Sequence, residues 1–300
     1  MEKYEYIKEI EFFKKYGEGI NVSEISKDIF VIESGDKKFS LRTFPIDKYG
    51  SVLDKKNKID TLIKSGRKLY SILDAGKICN LGICYRITDY ITEVKRSDID
   101  KDNYELGYYI GETIKKYHEL SHKVTDLKWE KSYNHKINYI FHEYGLCEYI
   151  GDKDYILMDY VKENKYLIFD RDTIEIFSFN NIRDIPVDDD GKIYLFGIQD
   201  IFIADPYFEF KDININYYKD EAYSAGLIDG YFGGKPSRLF FKTLALYTII
   251  ETLGKEFKFC KEINNDVVML KTEELSSYYN DFNNIYPNWY VEIKEKLKKE

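Results

Sequence analysis

The hydrophobic period changes once along this chain, and that change restricts the fold more than any other feature. Up to about residue 90 the apolar residues fall in short runs with a period near two: VSEIS over 22–26, DIFVIES over 28–34 and KKFSLRTF over 37–44, the last two joined by Gly35-Asp36. β-Branched and aromatic residues alternating over so few positions specify strands, and a Gly-Asp pair between two such runs specifies a turn. From Tyr104 the spacing becomes helical, with Leu106, Ile110, Ile114, Tyr117 and Leu120 three or four residues apart and therefore on one face. The sequence predicts an α+β protein: a small antiparallel sheet followed by a mainly helical region. The less regular stretch around 89–102 sets the boundary, giving lobes of 1–95 and 96–300.

Between the strands, Ile59, Leu62, Ile63, Leu69, Ile72 and Leu73 lie near helical spacing and predict a helix from Asp54 to Asp74, capped at Ala75-Gly76. Short strands around Lys77–Cys79 and Ile83–Thr88 complete the first lobe. In the second lobe, helical and mixed signals run through 133–172. Strands Ile174–Phe179 and Lys192–Ile198 then flank the turn Asp188-Asp189-Asp190-Gly191, predicting a hairpin within 174–206, and the remainder from Asp220 reads as helix.

Composition removes several classes of function. Against 53 Asp and Glu stand 45 Lys and Arg, a net charge of −8 over 300 residues, and no basic run is long enough to follow a line of phosphates. Nucleic acid is excluded as the main ligand. The longest apolar stretch near the C-terminal end, Leu244–Ile250, is too short to cross a bilayer, and the N-terminal stretch MEKYEYIKEIEFFKKYGEG has no apolar signal-type core. A cytoplasmic protein that works without a membrane is the expectation. Cys79, Cys84, Cys147 and Cys260 lack CxxC spacing and read as isolated core residues.

Two motifs compete for the chemistry. His118-Glu119-Leu120-Ser121-His122 fits H-E-x-x-H, in which imidazoles at i and i+4 of a helix hold zinc and the glutamate acts as base, the reaction of a metallopeptidase. The extended form of that motif is absent, since Thr125 and Lys128 occupy its later positions, Lys115 would place a cation one turn before His118, and a third ligand would have to come from Glu143 or Glu148.

The other constellation is spread over residues 20 to 255. Two strands, the FSLR strand, a helix, the YRITDYI segment and the Leu106-Gly107 to Tyr117-His118-Glu119-Leu120 helix are followed by IEIFSFNNIRDIPVDDDGKIYLFGIQDIFIADPYFEF over 174–210 and SAGLIDGYFGG over 224–234. This succession resembles the aminoglycoside phosphotransferase and choline kinase family, with the 187–192 turn and Asp205-Pro206 fixing the register of the catalytic stretch. The resemblance implies a two-lobed protein-kinase-like fold and ATP or GTP with Mg²⁺ as cofactors. It places Arg42 at the phosphate-binding lysine, Asp89, Tyr90 and Ile91 at the nucleotide hinge, and His118 in a structural role.

It also implies a damaged centre. Phe177-Ser178-Phe179 stands where the family has His-Gly-Asp, so Phe179 occupies the position of the catalytic carboxylate. Asp184 replaces a metal-binding Asn and can still ligate Mg²⁺, whereas Gly197 replaces the metal-bridging Asp and offers no ligand. No Glu lies between Ser51 and Leu73 to pair with Arg42, and Ser65 and Gly66 align with it. Loss of a general base costs about 10²–10⁴ in rate, and a missing metal clamp several kcal/mol more. The expectation is a pseudokinase that binds a nucleotide, a small ligand or a protein partner. The alternative is a working kinase acting on a hydroxyl of an aminoglycoside- or choline-like substrate, with Asp170, Asp172, Asp184, Asp200 or the 188–190 triplet as substitute carboxylates.

Overall fold

The computed structural model describes residues 4–16, 19–91, 103–124, 128–146, 151–177, 182, 185–196, 202–214, 220–260 and 266–299. The chain divides into two compact units, Met1–Asp98 with Pro186–Phe196, and Ile99–Ile185 with Gly197–Glu300. The sequence expectation had kept 186–196 with the helical lobe.

The first unit opens with two one-turn helices, α1 (Glu5–Lys8) and α2 (Glu11–Lys14), followed by β1 (Ile20–Ser26), β2 (Ile29–Ser34) and β3 (Lys37–Pro45). Next come α3 (Tyr49–Lys64), β4 (Ile72–Ile78) and β5 (Ile83–Asp89). The five strands form one antiparallel sheet in the order β1-β2-β3-β5-β4. Alternation along β3 turns Phe39 and Leu41 to one face, where they cluster with Phe30, Ile32, Tyr85 and Ile87 and with Ile7 and Phe13 of the two short helices and Ile10 between them. The charged N-terminal stretch thus supplies three core residues.

The helix predicted over 54–74 starts and stops earlier. α3 ends at Lys64 because Gly66 takes φ +90°, and the amides of Arg67 and Gly66 bond back to the carbonyls of Leu62 and Ile63, a Schellman closure. Leu69 and Ile72 match the helical spacing but belong to extended chain, and Ala75-Gly76 lies inside β4 rather than capping a helix.

The predicted hairpin within 174–206 is also replaced. In the second unit β6 (Ile174–Ile176) pairs with β7 (Phe202–Ala204) in the register Glu175↔Ile203. The 188–191 turn closes only a local bridge, Val187↔Ile193, and Ile193 makes its other bridge to Leu69 of the first unit's own chain. Hydrogen bonds from Tyr70 N to Ile193 O (3.0 Å) and from Ile193 N to Lys68 O (2.9 Å) satisfy the backbone of Ile193 within the first unit.

The rest of the second unit is helical: α4 (Tyr104–Leu120), α5 (Lys128–Leu146), α6 (Asp154–Asn164), α7 (Glu221–Phe232), α8 (Arg238–Cys260), α9 (Asp266–Tyr278) and α10 (Asn288–Leu297). α4 and α7 cross at backbone contact through Gly107 and Gly111 on one and Gly226 and Gly230 on the other. A Cβ at any of the four would sit 2.0–2.2 Å from a carbonyl oxygen of the opposing helix. The Leu244–Ile250 stretch is fully buried within α8, and no helix among the described residues is long and apolar enough to cross a membrane. Cys84 is buried as expected, but Cys79 is exposed in the turn between β4 and β5; the side chains of Cys147 and Cys260 lie outside the described set.

Candidate functional site

Arg42 lies within β3. The pleat of β3 puts Ser40, Arg42 and Phe44 on the face opposite Leu41, and the antiparallel register sets Arg42 directly against Arg86 of β5. Arg42 is half-buried and Arg86 is 6% exposed. Both guanidinium groups approach the Phe44 ring, at 5.5 and 5.9 Å from its centroid, and Arg86 lies 4.7 Å from the Phe196 centroid, within cation–π range. The amino-acid pattern alone gave no reason to single out Arg86; the strand register was the signal that could have found it. Asp89 closes β5 opposite Phe39, and the Tyr90 amide donates to Lys38 O at 3.1 Å, carrying the chain on to Ile91.

α3, which packs against β4 and β5, turns Val52, Lys55, Lys58, Ile59 and Leu62 inward. Its carboxylates stay toward solvent, Asp54 paired with Lys58 at 2.6 Å and Asp60 with Lys56 at 2.7 Å. Ser65 and Gly66, the residues aligned with a helix glutamate, form the cap that ends the helix.

The 188–190 triplet shapes a turn. Asp188 accepts from the amides of Asp190 (3.1 Å) and Lys192 (2.8 Å) and from the Tyr70 hydroxyl (2.6 Å), while the Lys192 ammonium lies 4.2 Å from the Tyr70 ring. Burial alone would raise the Asp188 carboxyl, but the Tyr70 hydroxyl and the two amides outweigh it and hold its pKa below the usual value. Burial, with the Asp188 bond and charge added, pushes the Tyr70 hydroxyl up to about 12. Among the other proposed substitutes, Asp172 is tied to Lys123 in an exposed ion pair and Asp170 holds a left-handed backbone at φ +52°.

In the second unit His118 is 5% exposed and embedded. Its Nδ1 lies 2.9 Å from the Tyr231 hydroxyl and its Nε2 3.6 Å from Glu209 Oε2, which accepts from the Phe177 amide at 2.8 Å. α4 ends at Leu120 and Ser121 is extended (φ −82°, ψ 135°), so His122 leaves the helix and is exposed. The zinc reading fails on this point, because the two imidazoles do not share a helix face. Glu119 leans toward Lys115 at 3.7 Å, and no cluster of three or more His, Cys, Asp or Glu able to hold a metal exists among the described residues. Asp205, fully buried, accepts from Arg171 Nε (2.6 Å) and Nη2 (2.9 Å), the Tyr247 hydroxyl (2.8 Å) and the Tyr207 amide (3.0 Å). Phe179, Asp184, Gly197 and Asp200 lie outside the described residues.

With this geometry in hand, the likeness to known structures is decisive for the fold. A choline/ethanolamine kinase family protein from Mesorhizobium loti matches with a TM-score of 0.59 at 11% identity, covering 93% of this chain and 95% of that one. The protein has the fold of the choline kinases and aminoglycoside phosphotransferases. This protein-kinase-like fold is shared with a thermostable mutant of aminoglycoside phosphotransferase APH(4)-Ia solved with ADP and hygromycin B (TM-score 0.56, 11% identity, 91% and 97% of the two chains). An aminoglycoside phosphotransferase from Alicyclobacillus acidocaldarius has it too (0.53, 9%, 96% and 95%). By sequence, neither a family model nor a curated protein matches the chain.

Proposed function

We propose that this protein binds a nucleoside di- or triphosphate on its first unit and transfers little or no phosphate. The observation that carries the reading is the placement of Arg42 on β3 beside β5, whose end leads through Asp89, Tyr90 and Ile91. In a protein-kinase-like sheet these supply the phosphate cation and the backbone edge for the base. Similar folds have been solved with ADP or AMP-PNP together with hygromycin B, which supports a nucleotide as ligand. Transfer is weak in this reading because Phe179 offers no proton acceptor and Gly197 no metal ligand. Phosphoryl transfer depends on positioning and charge neutralisation, and both are reduced.

The test is a thermal-shift titration with ATP, ADP and GTP, run beside a radiolabel assay for γ-phosphate transfer to hygromycin-type aminoglycosides and to choline. A ligand at 100 times its Kd adds about 2.7 kcal/mol of stability, so binding at millimolar nucleotide gives a clear rise in melting temperature. A flat response to every nucleotide overturns the reading. Transfer that Asp184→Ala or Asp200→Ala abolishes would establish the working kinase instead.

A further inference from the structure

The second unit holds a cavity that contains none of the residues to which the fold resemblance gives a role. One wall is a face of α6, where Tyr160, Glu163 and Asn164 fall at i, i+3 and i+4; the others are Lys242 of α8 and the segment 281–285 between α9 and α10. Its volume is about 460 Å³, the size of a small-molecule site. The Tyr160 hydroxyl donates to Lys242 O at 3.1 Å and ties α6 to α8 at the cavity. The Phe282 wall is built at a conformational cost. Asn280, Asp281 and Phe282 are three successive non-glycine residues at φ +50°, +52° and +59°, a region that bulky side chains rarely enter. Asp281 holds the turn by accepting from Ser276 Oγ (2.6 Å) and Lys153 Nζ (2.8 Å), and the Phe282 ring is set against Tyr160 with centroids 4.6 Å apart. Strain maintained in this way concentrates at ligand clamps.

The polar groups define what the cavity would hold. Asn164 is 9% exposed, and its Nδ2 donates to Tyr160 O at 2.9 Å, which leaves its Oδ1 as an acceptor with no hydrogen bond among the described residues. The Glu163 carboxylate and the Lys242 ammonium form no ion pair with each other or with any other described side chain. Asp159 and Asp281, by contrast, are paired with Lys162 and Lys153. The cavity therefore offers one open anion, one open cation, a buried acceptor and two aromatic rings. A simple amine would gain Glu163 but face repulsion from Lys242, and a simple carboxylate would meet the reverse. A zwitterion satisfies both. We propose that this cavity binds a free aromatic α-amino acid. Its ammonium is received by Glu163 and Asn164 Oδ1, its carboxylate by Lys242, and its ring by Tyr160 and Phe282. The proposal is independent of the nucleotide reading.

The experiment is isothermal titration calorimetry of the full chain with L-phenylalanine and with phenethylamine and 3-phenylpropionate, which lack the carboxylate and the ammonium respectively. It is run on the native protein and on Glu163→Gln, Lys242→Gln and Phe282→Asn, each checked by a circular-dichroism melt. The expected result is saturable one-to-one binding of L-phenylalanine, weakened about 10-fold by Glu163→Gln and by Lys242→Gln. That is the lower end for a charge-assisted hydrogen bond, since both groups reach solvent. Each half-ligand should bind about 10-fold more weakly than L-phenylalanine. Phe282→Asn separates binding from folding: asparagine tolerates left-handed backbone, so the melting temperature holds while affinity falls. No saturable binding of L-phenylalanine up to about 10 mM overturns the proposal. So does a half-ligand that binds as tightly as L-phenylalanine, or binding that the folded variants leave unchanged. If Phe282→Asn melts early, Glu163→Gln and Lys242→Gln decide the outcome.

Discussion

Removing the Arg171 guanidinium should destabilise the second unit more than any surface substitution. Asp205 is fully buried and receives four hydrogen bonds, two of them from Arg171. Burial would lower the pKa of that guanidinium, but the Asp205 hydrogen bonds and charge outweigh burial and raise it above the ordinary arginine value, so Arg171 stays charged across the accessible pH range. Arg171→Met leaves the Tyr247 hydroxyl and the Tyr207 amide on the carboxylate but strips away the guanidinium counter-charge. Stranding one partner of a buried pair costs about 3–5 kcal/mol. Because the Arg171 side chain is 18% exposed, water can partly replace it, and the lower end of that range applies.

The assay is urea and thermal unfolding followed by tryptophan fluorescence. Both tryptophans, Trp129 and Trp289, lie in the second unit, and Trp129 donates to the Tyr247 hydroxyl at 3.2 Å. At about 2–4 °C per kcal/mol for a domain of this size, the expected fall in Tm is about 6–12 °C. Adding Asp205→Asn to Arg171→Met should recover part of the loss, since a neutral amide does not need the cation, and the double-mutant cycle should show coupling of at least about 1 kcal/mol. A single substitution costing less than about 1 kcal/mol, or strict additivity in the cycle, would refute the assignment of Asp205 and Arg171 as a mutually dependent buried pair.

Gly230→Ala should lower thermal stability by about 1–3 kcal/mol or more, because its Cβ would lie 2.0 Å from the Tyr108 carbonyl oxygen, a backbone atom that cannot rotate away. Gly254→Ala is the matched control: its nearest neighbour is the flexible Lys136 Cε at 3.2 Å, and the gain in helix propensity of about 0.8–1 kcal/mol should leave stability unchanged or improved in a circular-dichroism melt. The Asp188–Tyr70 bond fixes a pH window for the first unit. A depressed carboxyl contributes stability above its unfolded pKa of about 4, lost as pH falls through the native value; a tyrosine raised to about 12 contributes stability below pH 10 that is lost as pH rises toward 12. Tyr70→Phe should abolish the alkaline part of that profile in hydrogen-exchange protection of the 186–196 amides, and an unchanged profile would count against it. His122→Ala should be neutral in stability and purified protein should carry no stoichiometric zinc by metal analysis, whereas His118→Ala should cost about 1–3 kcal/mol through the Tyr231 hydroxyl left unpaired.

The parts of the fold written in local pattern were legible. Period-two runs and the Gly35-Asp36 turn specify β2 and β3, and the Leu106–Leu120 spacing specifies α4. Errors arose where a local pattern had two readings. Leu69, Ile72 and Leu73 continue the helical spacing of α3, but the chain turns at Gly66, and only pairing with Ile193, more than a hundred residues away, makes Leu69 extended. The same long-range pairing takes Ile193 out of the hairpin expected from 174–179 and 192–198, of which 178–179 and 197–198 lie outside the described residues. The N-terminal helices escaped notice because Ile7, Ile10 and Phe13 are separated by charges. Along the sheet, Arg42 was visible through its neighbours in the strand, whereas its pairing with Arg86 follows only from the register.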